Sequence, residues 1–111
     1  MSRRSVFGKW EIPRTVVEIV KSICADYDRR AIAMENAAED TVKTYKRLNE
    51  SIDQAMTDIE PAIRRTMLED IYTGRGYGYS PASAIMTKNA YYSRKRKAVH
   101  DIAVNLMLLE Q

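Results

Sequence analysis

Hydrophobic residues recur every three to four positions over most of this chain, which is the spacing of one face of an α-helix. Val16, Val20 and Ile23 share such a face, and the same spacing continues over residues 27–59. Between residues 14 and 60 there is neither glycine nor proline. Because no segment alternates apolar and polar residues with β-branched enrichment, the pattern predicts an all-α fold.

The N-terminal half is predicted to be a flexible basic arm, residues 1–12, followed by a helical region, residues 13–60. Pro13 marks the first helix start, because proline is tolerated in the first turn. The following stretch is either one long helix or two, and the polar sequence between Asp26 and Arg30 favours two. We therefore expect a long N-terminal helical hairpin or coiled-coil region.

An apolar series within this region follows a coiled-coil rhythm. Positions 38, 42, 45, 49, 52, 56 and 59 alternate steps of four and three. Asn49 falls on the seam, where a buried asparagine can fix register and partner number. The stripe predicts a homodimer through this region. The alternative is that it packs against helices of its own chain.

The C-terminal half, residues 61–111, carries the signals of a helix-turn-helix. A helix after Pro61 ends at Gly74, since glycine takes the positive φ needed past a helix C-terminus. Ser80, followed by proline, caps a short helix over residues 82–85. Thr87 then caps a last helix that runs to about Leu109. This order of helix, glycine-containing loop, short helix, tight turn and longer helix is that of a DNA-binding helix-turn-helix.

The net charge of +3 at pH 7 is unevenly distributed. Residues 1–60 contain ten Lys and Arg against eleven Asp and Glu, whereas residues 61–111 contain eight against four. Five basic residues and no acidic residue lie within 88–97. Without an acidic residue in reach before Asp101, a polyanion partner explains this run better than folding does. The alternative is an ordinary solvated helix face.

The last helix is expected to lie in the major groove of double-stranded DNA. With Thr87 as its cap, Tyr91 and Lys95 turn inward, while Lys88, Asn89, Tyr92, Ser93 and Arg96 project outward. Asn89, Ser93 and Arg96 are expected to read base edges, since asparagine and arginine form paired hydrogen bonds with adenine and guanine. Lys88, Arg94 and Lys97 flank that strip, where phosphates would lie. The predicted DNA-binding residues are Lys88, Asn89, Tyr92, Ser93, Arg94, Arg96 and Lys97.

Other chemistry is not indicated by the sequence. Cys24 and His100 are the only residues of their kinds, so neither a zinc site nor a Cys–His nucleophilic pair is expected. The acidic residues are scattered, and we expect no enzymatic activity and no cofactor. Tyr77 or Tyr79, in the glycine-rich loop, is expected to pack under the short helix.

The sequence also predicts a cytoplasmic protein that does not enter membranes. Its apolar runs are far shorter than a bilayer-spanning helix. Its first residues do not combine a basic start, an apolar core and a small-residue cleavage site. A single cysteine fits a reducing compartment.

Three segments carry a resemblance to a known family. They are YKRLNESID at 45–53, LEDI at 68–71 and YYSRKRK at 91–97, the last being the most specific. Over residues 27–109 the chain resembles the ArpU/RinA group of phage- and prophage-encoded transcriptional regulators. The resemblance implies activation of late phage genes in Gram-positive bacteria. It also implies a C-terminal part similar to the promoter-reading helix-turn-helix of bacterial sigma factors.

These observations predict a sequence-specific DNA-binding transcriptional regulator of phage or prophage type. It would bind double-stranded DNA as a homodimer, with RNA polymerase as a further candidate partner. One alternative is a small terminase-like DNA-packaging subunit, which also joins a helix-turn-helix to a helical oligomerisation segment. Another is a protein-interaction module whose basic helix binds an acidic partner rather than DNA.

Overall fold

A computed structural model describes residues 11–110 of the chain. Five α-helices lie in that range: α1 Arg14–Ala25, α2 Tyr27–Ala33, α3 Glu39–Ala55, α4 Arg64–Thr73 and α5 Lys88–Asn105. Short 3₁₀ turns occupy Met56–Asp58, Pro61–Ile63, Tyr77–Tyr79 and Pro81–Ala84. No strand lies within residues 11–110, and the predicted all-α class is confirmed. None of the described helices is both long and apolar enough to span a membrane.

Only the end of the predicted basic arm falls within this range. Residues 1–10 lie outside the described residues, and with them most of the arm. Ile12 is buried in the hydrophobic core, so the chain is already anchored two residues before α1 begins.

The stretch between residues 14 and 60 contains three helices, so the prediction of two was wrong in number. The first break falls at Asp26, inside the predicted interval, where the carboxylate accepts two hydrogen bonds of 2.6 Å from Arg29. The second break, over residues 34–38, contains neither glycine nor proline to signal it. Glu39 and Asp40 then stand in the first turn of α3, where negative charge favours a helix N-terminus.

The helices enclose one hydrophobic core to which both predicted regions contribute. α1 packs against α4 and α5, and α3 packs against α5 and α2. The fully buried side chains include Val20 of α1, Ile52 of α3, Met67 of α4 and Ile102 of α5. Because one core joins residues 13–60 to residues 61–110, the N-terminal helices cover the inner face of the C-terminal ones.

The coiled-coil stripe of α3 is largely buried within its own chain. Asn49 is 6% exposed, and its Oδ1 accepts a hydrogen bond of 2.7 Å from Arg30 Nε. Its Nδ2 donates to the Tyr27 carbonyl at 3.2 Å. Ile52 and Met56, the next stripe residues, lie in the core. This part of the stripe follows the alternative of packing within the chain, and the homodimer stays a prediction.

α5 ends at Asn105, four residues before the predicted end near Leu109. Met107 takes a left-handed conformation with φ of 60°. The N–H of Leu108 bonds to the Ala103 carbonyl at 2.8 Å, and the N–H of Met107 bonds to the Val104 carbonyl at 2.9 Å. This is the hydrogen-bond pattern of a Schellman helix end, which glycine usually signals. A methionine in that position gives no such signal.

Replacing Asn49 by alanine is expected to lower the free energy of unfolding by about 2–3 kcal/mol, because Arg30 then loses a partner for a buried charged donor. Urea denaturation measures the loss, and Glu50→Ala, at an exposed neighbouring position, serves as the control. Unchanged stability combined with a changed molecular mass in solution would contradict the expectation and place Asn49 between chains.

Candidate nucleic-acid interface

The N-terminal turn of α5 is fixed by the caps that the sequence predicts. Thr87 Oγ1 accepts a hydrogen bond of 3.2 Å from the Ala90 N–H. Ser80 Oγ accepts one of 3.1 Å from the Ala82 N–H at the start of the preceding 3₁₀ turn. The elements therefore follow one another in the predicted order, with the short helix reduced to the 3₁₀ turn Pro81–Ala84.

A buried polar cluster attaches α5 to α4 and to the glycine-containing loop. Asp70 of α4 and Tyr91 of α5 are both fully buried. Tyr91 Oη donates to Asp70 Oδ2 at 2.7 Å, and Arg75 Nε donates to Asp70 Oδ1 at 2.5 Å. Lys95 Nζ, one turn along α5, donates to the Arg75 carbonyl at 2.8 Å. The predicted inward orientation of Tyr91 and Lys95 agrees with these contacts.

The electrostatics of the cluster follow from its burial. Burial and the hydrogen bond to Asp70 raise the pKa of Tyr91, so the phenol remains a donor at neutral pH. Burial, together with the positive charges of Lys21 and Arg75, lowers the pKa of Lys95 against the opposing effect of Asp70. Sequence analysis did not single out Asp70 or Arg75, because their partners are not neighbours on one helix.

Hydrogen bonds of two tyrosines, Tyr92 and Tyr77, fix the position of the glycine-containing loop. Tyr92 Oη accepts the N–H of Tyr77 at 3.1 Å, and a Cβ at Gly76 would lie 3.0 Å from that oxygen. Tyr77 Oη in turn donates to the Met86 carbonyl at 2.7 Å. Of the two tyrosines proposed to pack under the short helix, Tyr77 does so, while Tyr79 is 86% exposed.

The predicted DNA-binding residues fall into three environments. Lys88, Asn89 and Ser93 are exposed on the first two turns of α5. Tyr92 and Arg96 are half-buried, although the sequence placed them on the outward side. Arg96 lines a groove against α1, and its Nε is buried without a hydrogen-bond partner in the described part of the chain. The remaining two, Arg94 and Lys97, form ion pairs.

The expectation that the basic run has no acidic residue in reach before Asp101 was wrong. Arg94 forms a two-point contact with Glu60, at 3.1 and 3.2 Å, and Lys97 Nζ lies 2.7 Å from both Asp58 and Asp101. Asp58 and Glu60 belong to the turns between α3 and α4, which pack beside α5. The missing partners are 34–39 residues away in sequence, beyond the reach of helical spacing rules.

The ion pairs of Arg94 with Glu60 and of Lys97 with Asp58 are exposed to solvent, whereas that of Lys97 with Asp101 is partly buried. The hydrogen bond from Lys97 lowers the pKa of Asp58, while Asp101 and Asp58 raise that of Lys97. The pKa of Glu60 is lowered by its own backbone N–H and by Arg94. Asp58, Glu60 and Lys97 are therefore charged at neutral pH. Exposed ion pairs contribute little to stability, so a phosphate can replace either carboxylate at small cost.

Residues 11–110 hold no group of three or more His, Cys, Asp or Glu side chains placed to bind a metal ion. Cys24 is fully buried, and burial raises the pKa of its thiol to about 12. The thiol is therefore protonated at neutral pH.

Comparison with known proteins yields no relative. No protein-family model matches the chain, and neither a curated protein nor a solved structure matches it. The resemblance to ArpU/RinA regulators thus stays a prediction that rests on the sequence segments given above.

Tyr91→Phe is expected to lower the free energy of unfolding by about 1–3 kcal/mol, because the buried Asp70 carboxylate loses a donor while the packed ring is retained. Chemical denaturation measures the change. Tyr79→Phe removes a hydroxyl from an exposed ring and is the matched control. Equal stability of the two variants would show that Tyr91 stabilises the fold through ring packing alone.

Proposed function

We propose that this chain is a sequence-specific DNA-binding transcriptional regulator of phage or prophage type, with α5 as the helix that enters the major groove. The observation that carries the proposal is the exposed strip at the start of α5, formed by Lys88, Asn89 and Ser93. In a helix-turn-helix the N-terminal residues of the second helix are the ones that reach base edges.

The chemistry of the strip fits that role. An asparagine amide can form paired hydrogen bonds with adenine, and a serine hydroxyl can contact any base. Asn89 and Ser93 are four residues apart, so they lie one above the other on the helix. Lys88 stands beside them at the helix start, where a phosphate contact would set the position of α5 on the duplex.

Arg94 and Lys97 supply the flank of the interface. Arg94 forms an ion pair with Glu60, and Lys97 forms one with Asp58. Both carboxylates belong to the turns beside α5, and both pairs are exposed to solvent. Exchange of these carboxylates for phosphates would release counterions from DNA and add affinity without sequence preference. The interface therefore has a reading strip and a charged flank that act in different ways.

The homodimer and RNA polymerase belong to the same proposal. A two-fold dimer would present two copies of α5 to half-sites about one helical turn of DNA apart. The N-terminal end of the α3 stripe, where Val42 and Tyr45 are half-buried, is the part that remains accessible for a dimer contact. A contact to RNA polymerase is supported by the sigma-like resemblance alone.

The reading strip is tested by selecting duplexes from a random library and measuring gel mobility shifts over a salt series. Asn89→Ala is expected to cost about 1–3 kcal/mol of binding free energy on selected duplexes and little on unselected ones. Lys88→Ala should weaken both classes alike and reduce the slope of log K against log salt by about 1. Lys46→Ala, exposed on α3, is the control.

Two outcomes would overturn the proposal. One is the absence of any enriched duplex and of binding at low salt. The other is unchanged binding in both α5 variants relative to Lys46→Ala, which would place the DNA contact elsewhere.

For the charged flank we expect the opposite effect, a variant that gains affinity for DNA. The double variant Asp58→Asn and Glu60→Gln removes the carboxylate that pairs with Arg94 and one of the two that pair with Lys97, so DNA binding at low salt should tighten about two- to tenfold. Fluorescence anisotropy with a mixed-sequence duplex measures it. Glu50→Gln with Asp53→Asn alters net charge equally on exposed positions of α3. An equal gain in that control would reduce the effect to net charge.

A further inference from the structure

A groove of about 400 Å³ lies between α1, α4 and α5, outside the exposed strip of α5. Val17, Ile71 and Val99 form its walls, and most of the surface facing the groove is apolar. Sites for small molecules are concave, mostly apolar and supplied with a few convergent polar groups. The groove has the volume and the lining of such a site.

The polar groups that line the groove are predominantly cationic. Lys21 of α1 and Lys95 and Arg96 of α5 all belong to it, and none of the described lining residues is acidic. Gly74 brings the loop close to Lys21, whose Nζ would lie 3.8 Å from a Cβ at that position. Lys21 also pairs with Glu18, one turn earlier on α1, at 3.8 Å. The groove therefore gathers positive charge on apolar walls.

Within the described range Arg96 has an unpaired donor, and Lys95 lies among like charges. The Nε of Arg96 is a buried donor that has no hydrogen-bond partner in residues 11–110, and a native protein rarely leaves such a donor unpaired. The pKa of Lys95 is lowered by burial and then by the charges of Lys21 and Arg75, with Asp70 opposing them. An anion in the groove would offset the repulsion among Lys21, Lys95 and Arg96.

We propose that this groove binds a small amphipathic anion, a medium-chain aliphatic carboxylate, with the carboxylate between Lys21 and Arg96 and the tail along Val17 and Val99. Charge complementarity selects this occupant. Residues 1–10 carry Arg3, Arg4 and Lys9 and no acidic residue, and a second copy of the chain has a net charge of +3. Residues 1–10 would bring like charge to the groove, and a second copy would approach against a like net charge. The inference does not depend on DNA binding.

Octanoate is the probe, and titration into the ¹⁵N-labelled full chain is followed by amide chemical shifts. Saturable shifts are expected at Val17, Lys21, Gly74 and Val99. Octanol, which has the tail without the charge, and acetate, which has the charge without the tail, should each bind about tenfold more weakly or not at all.

Variants that remove one positive charge test whether the cations of the groove bind the carboxylate. Lys21→Gln is expected to weaken octanoate binding about tenfold, since it removes a charged contact from a lysine with no role in the core. Arg96→Gln provides an independent second variant. Lys43→Gln, on an exposed position of α3, is the matched control and should leave binding unchanged.

Several results would overturn the proposal. One is the absence of saturable chemical-shift changes at the groove residues. Another is that octanol binds as tightly as octanoate. A third is that Lys43→Gln weakens octanoate binding as much as Lys21→Gln does. Groove shifts that depend on protein concentration without octanoate would identify a second copy as the occupant. Binding of octanoate only after deletion of residues 1–10 would identify that segment as the occupant.

Discussion

The carboxylate of Asp70 is the constraint on which the arrangement of the C-terminal half depends. It is fully buried on α4, and a buried carboxylate is tolerated only when it is paired and hydrogen-bonded. Its two donors come from different elements, Arg75 from the loop and Tyr91 from α5. Satisfying one charge therefore joins α4, the loop that follows it and α5. The Arg75 carbonyl then accepts from Lys95, which gives α5 a second attachment one turn further on.

The rotation of α5 that follows from these attachments divides its basic run. Lys95 is directed inward, and Arg94 and Lys97 reach the acidic turns between α3 and α4. Arg96 reaches the groove, whereas Lys88 remains exposed at the helix start. A run of adjacent charges is thus not one functional unit. Arg96 therefore lies outside the exposed strip of α5 and belongs to the lining of the groove.

The parts of this structure that could be predicted from sequence are those set by short-range chemistry. Thr87 and Ser80 cap their segments through hydroxyl oxygens that accept nearby N–H groups, and Gly74 ends α4 with a φ of 78°. These interactions span three residues or fewer, so the local sequence determines them. The break over residues 34–38 and the end of α5 at Met107 use residue types that carry no turn signal, and both were missed.

The remaining errors concern partners distant in sequence. Asn49 has the same coiled-coil position whether its partner is a second chain or Arg30 of its own, so spacing alone could not choose between them. In the same way, a helical wheel of α5 cannot show that Glu60 lies opposite Arg94. Only the packing of α2 against α3, and of α3 with its following turns against α5, brings these groups together. α1 also packs against α4 and α5, and there its Val17 and Lys21 line the groove. A change in α1 can therefore alter the surroundings of Arg96 without touching the exposed strip of α5.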